Sequence, residues 1–199
     1  MRSRRTWTLL ALGGAVAIAL LGAWLVRDWR SNAEDTLVAK PVSLPPISRA
    51  NLARRFALLH QRHSSQCGLR SEALSTLPRT GRLQGSCCQA MDYDHYVQQI
   101  DGLAAYTGTA DIPRDPYDVS VLLARRLTSY REVRLTPAQE AVYRRAVHMS
   151  HEHGPCCCHC WRWYAFEGQG RWLIARRGWS SRQLASLWDL ENGCGGKEA

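Results

Sequence analysis

The chain has 199 residues and a formal net charge of +9, which comes from 26 lysines and arginines against 17 aspartates and glutamates. The basic residues are scattered as short pairs and form no run interleaved with aromatic side chains, so the composition argues against a nucleic-acid partner. Eight cysteines in a chain of this length are the feature that a function must explain.

The N-terminus carries an apolar segment, residues 7–26, that is long enough to cross a bilayer as one helix. The stronger cluster of arginines precedes this segment, which predicts a cytoplasmic N-terminus and an extracytoplasmic remainder. We therefore predict that residues 1–30 anchor a single-pass membrane protein, whose C-terminal part is periplasmic or at the cell surface. A cleaved signal peptide ending near Ala33 is the alternative. The pair Arg4-Arg5 also resembles the start of a twin-arginine export signal, but the favoured interpretation is that these arginines only follow the positive-inside rule.

Residues 31–46 lack hydrophobic periodicity and end in Leu-Pro-Pro, which predicts a linker to a cysteine-rich domain formed by residues 47–199. Caps and apolar spacing predict four helices in the first part of this domain. They begin near Ser48, Asp92, Asp115 and Thr136. The third has a proline at its first helical position, as many helices do.

A change of pattern follows residue 160. Residues 161–166 and 171–175 flank Glu-Gly-Gln-Gly, which predicts a β-hairpin. A capping box that starts at Ser180 predicts a last helix ending near Asn192. The predicted fold is mainly α: an N-terminal transmembrane helix, then a small, cysteine-rich helical domain with one β-hairpin near the C-terminus.

Half of the cysteines lie within five consecutive residues, 156–160, interrupted only by a histidine. Adjacent cysteines cannot bridge one another without backbone strain, whereas several thiolates from one loop suit a soft metal ion or an iron–sulfur cluster. All eight cysteines lie at the ends of predicted elements and outside the apolar stripes. This distribution favours one shared site.

Two histidines on the fourth predicted helix are further candidate ligands. His148 and His151 are three residues apart on one face, and the helix leads directly into the cysteine segment. The alternative is that they only interact with the helix dipole. The predicted metal ligands are Cys67, Cys87, Cys88, Cys156, Cys157, Cys158, Cys160, Cys194, His148 and His151.

The favoured function is that of a membrane-anchored, extracytoplasmic metal-binding protein that acts in metal handling or electron transfer. The predicted ion is copper or zinc, with an iron–sulfur cluster as the alternative. No catalytic residue is predicted, because a site closed by this many sulfurs leaves no position for an activated water. The sequence therefore leans against an enzyme.

Two other functions remain open. The even cysteine count and an oxidising compartment also suit a disulfide-stabilised structural or partner-binding domain. A thiol–disulfide oxidoreductase using Cys157 and Cys160, or Cys87 and Cys88, is the third hypothesis. The membrane is the predicted partner, through the N-terminal helix, and the sequence identifies no protein partner.

Overall fold

The computed structural model of the chain describes residues 40–64, 68–109 and 111–196. The predicted anchor, most of the predicted linker and Cys67 lie outside the described residues. Within the described ranges, no helix is both long enough and apolar enough to span a membrane.

Six α-helices and two short strands form the part of the chain that the structure describes. The helices are α1 (Leu52–Leu59), α2 (Tyr93–Leu103), α3 (Val121–Ser129), α4 (Pro137–Met149), α5 (Trp161–Arg177) and α6 (Ser181–Glu191). The strands β1 (Arg82–Gln84) and β2 (Asp118–Ser120) pair antiparallel, with Leu83 opposite Val119. Short 3₁₀ segments lie at Arg49–Asn51, Ser71–Ser75, Ala104–Tyr106 and Tyr130–Glu132. The prediction of a mainly helical, cysteine-rich domain is confirmed.

Side-chain caps fix three of the predicted helix starts. The Asp92 carboxylate accepts a hydrogen bond from the third backbone amide of its helix, at 3.0 Å. Thr136 and Ser180 each form a capping box, with Gln139 and Gln183 respectively. These caps satisfy amides that have no partner inside the helix, so short local motifs determine where α2, α4 and α6 begin.

The helix predicted to begin at Asp115 begins at Val121 instead, with Ser120 as its cap. The Asp115 carboxylate accepts hydrogen bonds from the Tyr117 amide at 2.9 Å and from the Arg55 guanidinium at 2.7 Å. Both charged side chains are buried. Asp115 therefore forms a buried ion pair, and the residues after it extend into β2 and pair with β1.

The predicted β-hairpin near the C-terminus is wrong, because residues 161–177 form one helix, α5. Its glycines allow close packing between helices and do not form a turn. A Cβ atom on Gly168 would lie 2.1 Å from the Leu127 carbonyl oxygen of α3, and one on Gly170 would lie 2.8 Å from the Trp188 ring of α6. Gly168 and Gly170 are therefore positions at which a neighbouring helix packs closely against α5.

The main apolar core surrounds α5, which packs against α3, while α4 packs against α6. Trp161, Phe166 and Trp188 are fully buried there. A smaller apolar cluster between α1 and α2 includes Leu59 and Tyr96. Cysteine side chains form a third buried cluster, where the segment before α2, the loop between α4 and α5, and the segment after α6 meet.

Candidate metal centre

Three separate segments bring seven of the eight cysteines together. Cys87 and Cys88 precede α2, Cys194 follows α6, and the remaining four lie in the loop between α4 and α5. No disulfide joins any two of these seven cysteines. The shared site expected from the positions of the cysteines thus forms across more than 100 residues of sequence.

Backbone hydrogen bonds join the first segment to the last. The Cys87 amide donates to the Gly193 carbonyl oxygen at 3.0 Å, and the Cys88 amide donates to the Cys194 carbonyl oxygen at 3.2 Å. Gly195 has a φ of 83°, and a Cβ atom there would lie 2.2 Å from a carbonyl oxygen of the first segment. A glycine is therefore required where the two segments run side by side.

The loop between α4 and α5 is held at both of its ends. The Ser150 hydroxyl accepts a hydrogen bond from the Gly154 amide at 2.9 Å, just after α4. The Trp161 amide donates to the Leu69 carbonyl oxygen at 2.7 Å, at the start of α5. Cys160 is the residue that immediately precedes α5, so the cysteine segment leads into a helix and not into the predicted strand.

The sulfur atoms are in contact with one another but are not bonded. The six measured Sγ–Sγ distances run from 3.1 Å to 3.8 Å, well beyond the roughly 2.05 Å of a disulfide bond. They are comparable with the separation of about 3.8 Å between two thiolates on one tetrahedral ion with 2.3 Å metal–sulfur bonds. The measured pairs are Cys156–Cys194 and Cys157–Cys194 at 3.1 Å, Cys87–Cys88 at 3.2 Å, Cys88–Cys157 at 3.4 Å, Cys88–Cys158 at 3.6 Å and Cys87–Cys194 at 3.8 Å.

The seven sulfurs fall into four overlapping groups, and within each group every sulfur lies within 4.8 Å of the others. Group A contains Cys87, Cys156, Cys158 and Cys160; group B contains Cys87, Cys88 and Cys194; group C contains Cys88, Cys157 and Cys158; and group D contains Cys156, Cys157 and Cys194. Each group could hold a metal ion through sulfur alone.

The cluster has a buried side and an open side. Cys87, Cys156, Cys160 and Cys194 are buried, whereas Cys88 and Cys158 are half-buried and Cys157 is exposed. Group C is therefore the most exposed of the four groups, and group A is the most buried. An ion would enter and leave through group C.

Hydrogen bonds among the thiols divide them into two electrostatic classes. Contacts with Cys156 and then with Cys87 lower the pKa of Cys160 far below its ordinary value, and they lower the pKa of Cys194 to about 2. Burial, followed by the hydrogen bond with Cys194, raises the pKa of Cys157 to about 12. Without metal, thiolates and thiols therefore share protons within one network.

Arg162 is a buried cation beside the cluster that the sequence patterns did not single out. Its side chain is 0 % exposed, and it donates hydrogen bonds to the carbonyl oxygens of Pro116 and Gly85. Among the described residues, no carboxylate lies within ion-pair distance of it. A Cβ atom on Gly193 would lie 2.2 Å from its guanidinium carbon. Its charge makes a further, smaller contribution to the lowered pKa of Cys160.

The two predicted histidine ligands lie outside the four sulfur groups. His148 and His151 are exposed. The His151 amide donates to the Asp189 carboxylate at 2.9 Å. A role for either histidine, or for Cys67, in binding metal stays a prediction from the sequence.

The arrangement gives the protein an all-sulfur donor set that could hold metal, built from residues of three segments. Comparisons with known protein families, with curated proteins and with solved structures found no match for this chain.

Proposed function

We propose that this protein is a copper-handling protein that binds Cu(I) through the thiolates of its cysteine cluster. The observation that carries the proposal is the convergence of seven sulfurs from three segments of the fold, in groups whose members lie within 4.8 Å of one another and without a disulfide among them. So many sulfurs so close together suit a partner that several of them can bind at once, and a soft metal ion is such a partner.

The donor set favours Cu(I) over the other candidates. Three of the four groups contain three sulfurs, which suits the trigonal coordination of Cu(I) by thiolates, whereas structural zinc sites have four ligands. An iron–sulfur cluster takes one cysteine per iron around a core of iron and sulfide. Sulfurs in mutual contact leave no space for such a core.

The exposure of group C favours metal handling over electron transfer. Cys157 is exposed, so an incoming ion can meet a thiol at the surface and pass to more buried sulfurs by ligand exchange. An electron-transfer centre keeps its metal ion, so an exposed side through which the ion can leave gives such a centre no advantage.

The proposed location is extracytoplasmic, with the anchor in residues 1–30 holding the domain at the membrane. Its support is the hydrophobicity and the flanking charge of that segment. Coordination by Cu(I) would also protect the thiols there, because metal-bound thiolates are less free to form disulfides.

The test is elemental analysis of the full chain, purified in detergent without oxygen or chelator, together with a count of titratable thiols. We expect copper in the purified protein and few reactive thiols until the copper is removed. The matched control is a Cys156→Ser/Cys194→Ser double variant, which we expect to lose most of the metal. A protein that contains neither copper nor free thiols, or one with reactive thiols that take up no Cu(I), would contradict the proposal.

A further inference from the structure

The four sulfur groups share their members in a regular way. Cys87, Cys88, Cys156, Cys157, Cys158 and Cys194 each belong to two groups, and Cys160 belongs only to group A. Any two groups have one sulfur in common: for example, Cys87 joins A to B and Cys157 joins C to D. No sulfur pair occurs in more than one group.

This pattern of sharing is that of an octahedron. Six sulfurs, each within 4.8 Å of four others, form the corners once Cys160 is set aside. All eight triangular faces then satisfy the 4.8 Å limit, and groups A to D are one of the two sets of four alternate faces. The three pairs that share no group lie at opposite corners; they are Cys87 and Cys157, Cys88 and Cys156, and Cys158 and Cys194. An ion on each of the four faces would make every corner sulfur a bridge between two ions.

We propose that the cluster holds four Cu(I) ions in one cage, in which six cysteine sulfurs each bridge two ions. This inference rests on the proposed function and adds the number of ions and their connectivity. Six sulfurs that each make two bonds supply the twelve bonds that four three-coordinate ions require. Four tetrahedral zinc ions would require sixteen bonds, and Cys160 raises the supply only to thirteen, so the bond count fits four Cu(I) ions and not four zinc ions.

Cys160 has a different role from the six bridging cysteines. The Cys160 sulfur is the fourth member of group A. It therefore either binds the ion of group A as a terminal ligand or lies beside that ion, and it bridges no two ions. Four Cu(I) ions and six thiolates carry a net charge of −2, after the remaining thiol protons leave for solvent. The buried guanidinium of Arg162 lies on this side of the cluster and offsets part of that charge.

The number of bound ions tests the cage directly. The experiment is an anaerobic titration of the full, reduced chain in detergent with Cu(I), followed by native mass spectrometry. We expect species with no copper and with four coppers to predominate, because each bridging sulfur couples the binding of two ions. Saturation at one copper would overturn the cage and leave the proposed function intact. Absence of binding would overturn both.

Two buried cysteines of the same loop give a matched pair of variants. Cys156→Ser removes a sulfur of two groups, and we expect fewer than four coppers per chain. Cys160→Ser removes a sulfur of one group, and we expect four coppers to remain. Cys157→Ser repeats the Cys156→Ser test at an exposed position. A substitution there does not disturb the buried core, so the apo-protein still folds. Four coppers in Cys156→Ser or Cys157→Ser, or fewer in Cys160→Ser, would contradict the proposed connectivity.

Discussion

Arg162 links the chemistry of the sulfurs to the interior of the domain. Its guanidinium is fully buried, it donates to two carbonyl oxygens, and it contacts the backbone of Gly193 beside Cys194. A buried charge is costly unless negative groups nearby offset it. The charge of Arg162 acts to lower the pKa of both Cys160 and Glu191, and an anionic metal–thiolate cluster would add further negative charge beside it.

Replacing this cation should weaken copper binding. For Arg162→Met we expect a loss of Cu(I) affinity of about tenfold or more, which corresponds to about 1.4 kcal/mol, because the bound cluster loses a nearby positive charge. Competition with a chromophoric Cu(I) chelator measures the change. Arg162→Lys is the control that retains the charge, and it should bind more tightly than Arg162→Met. Equal affinity in both variants would show that the charge has no role.

Glu191 is a second buried charge, and it makes stability depend on pH. It is 0 % exposed, and its carboxylate accepts a hydrogen bond from Gln169 at 2.7 Å. Burial raises its pKa well above the ordinary value. Its contribution to stability is therefore fully present below the pKa of the unfolded chain, and it is lost as the pH rises through the higher pKa of the folded protein.

Substitution of Glu191 by glutamine should remove the loss of stability that Glu191 causes as the pH rises. We expect Glu191→Gln to unfold at a higher urea concentration than the parent protein at neutral pH, and the difference to shrink towards about pH 4, where both states hold the proton. Urea denaturation of the metal-free, reduced protein across this range measures it. A difference that does not change with pH would contradict the assignment. Asp115, whose pKa burial also raises, is the same in both proteins and cancels in the comparison.

At the scale of secondary structure, the contact between α3 and α5 depends on a glycine. A Cβ atom at position 168 would meet the Leu127 carbonyl oxygen at 2.1 Å and the Arg131 amide nitrogen at 3.0 Å, and backbone atoms cannot move aside as a side chain can. We expect Gly168→Ala to lower the free energy of unfolding by about 1–3 kcal/mol through overpacking. Chemical denaturation of the apo-protein measures this effect.

Gly102→Ala is the matched control for this prediction. Gly102 also lies inside a helix, but the three atoms nearest to its added Cβ all belong to the flexible Leu190 side chain. There the gain of about 1 kcal/mol in helix propensity offsets the crowding, so we expect a smaller loss or none. Equal destabilisation by the two substitutions would show that contact with backbone is not the cause.

Local motifs made several elements predictable from sequence, and long-range contacts made others unpredictable. The capping residues Asp92, Thr136 and Ser180 act within one helical turn, so α2, α4 and α6 begin where the sequence indicates. The role of Asp115 depends on Arg55, sixty residues away, and that of Gly168 depends on α3. Neither dependence is visible in a local pattern.

The same distinction applies to the metal centre. The crowding of cysteines at 156–160 and their position at the ends of elements predicted a shared site, and seven sulfurs do converge. The sharing of each bridging sulfur between two groups follows from how three distant segments meet, and spacing along the chain does not encode it. Arg162 carried no motif, and its place only two residues after Cys160 was the one available signal.

At the scale of the whole molecule, the metal should act as a clamp on the fold. Ions shared among the segment before α2, the loop before α5 and the segment after α6 would bind the folded protein and not the extended chain. One ion at a free Cu(I) concentration of about 100 times its dissociation constant stabilises the fold by about 2.7 kcal/mol, or roughly 5–10 °C in melting temperature, and further bound ions add to this minimum. Calorimetry of the copper-loaded and stripped proteins measures it. An unchanged melting temperature would contradict coupling of the cluster to the fold.

The most direct test of the central claim is X-ray absorption spectroscopy at the copper edge of the Cu(I)-loaded protein. The cage predicts a first shell of about three sulfurs per copper at roughly 2.3 Å, without nitrogen or oxygen, and a second shell of neighbouring copper ions. A first shell that contains nitrogen or oxygen ligands would contradict a thiolate-only centre. A sulfur shell without any copper neighbour would contradict the four-ion cage.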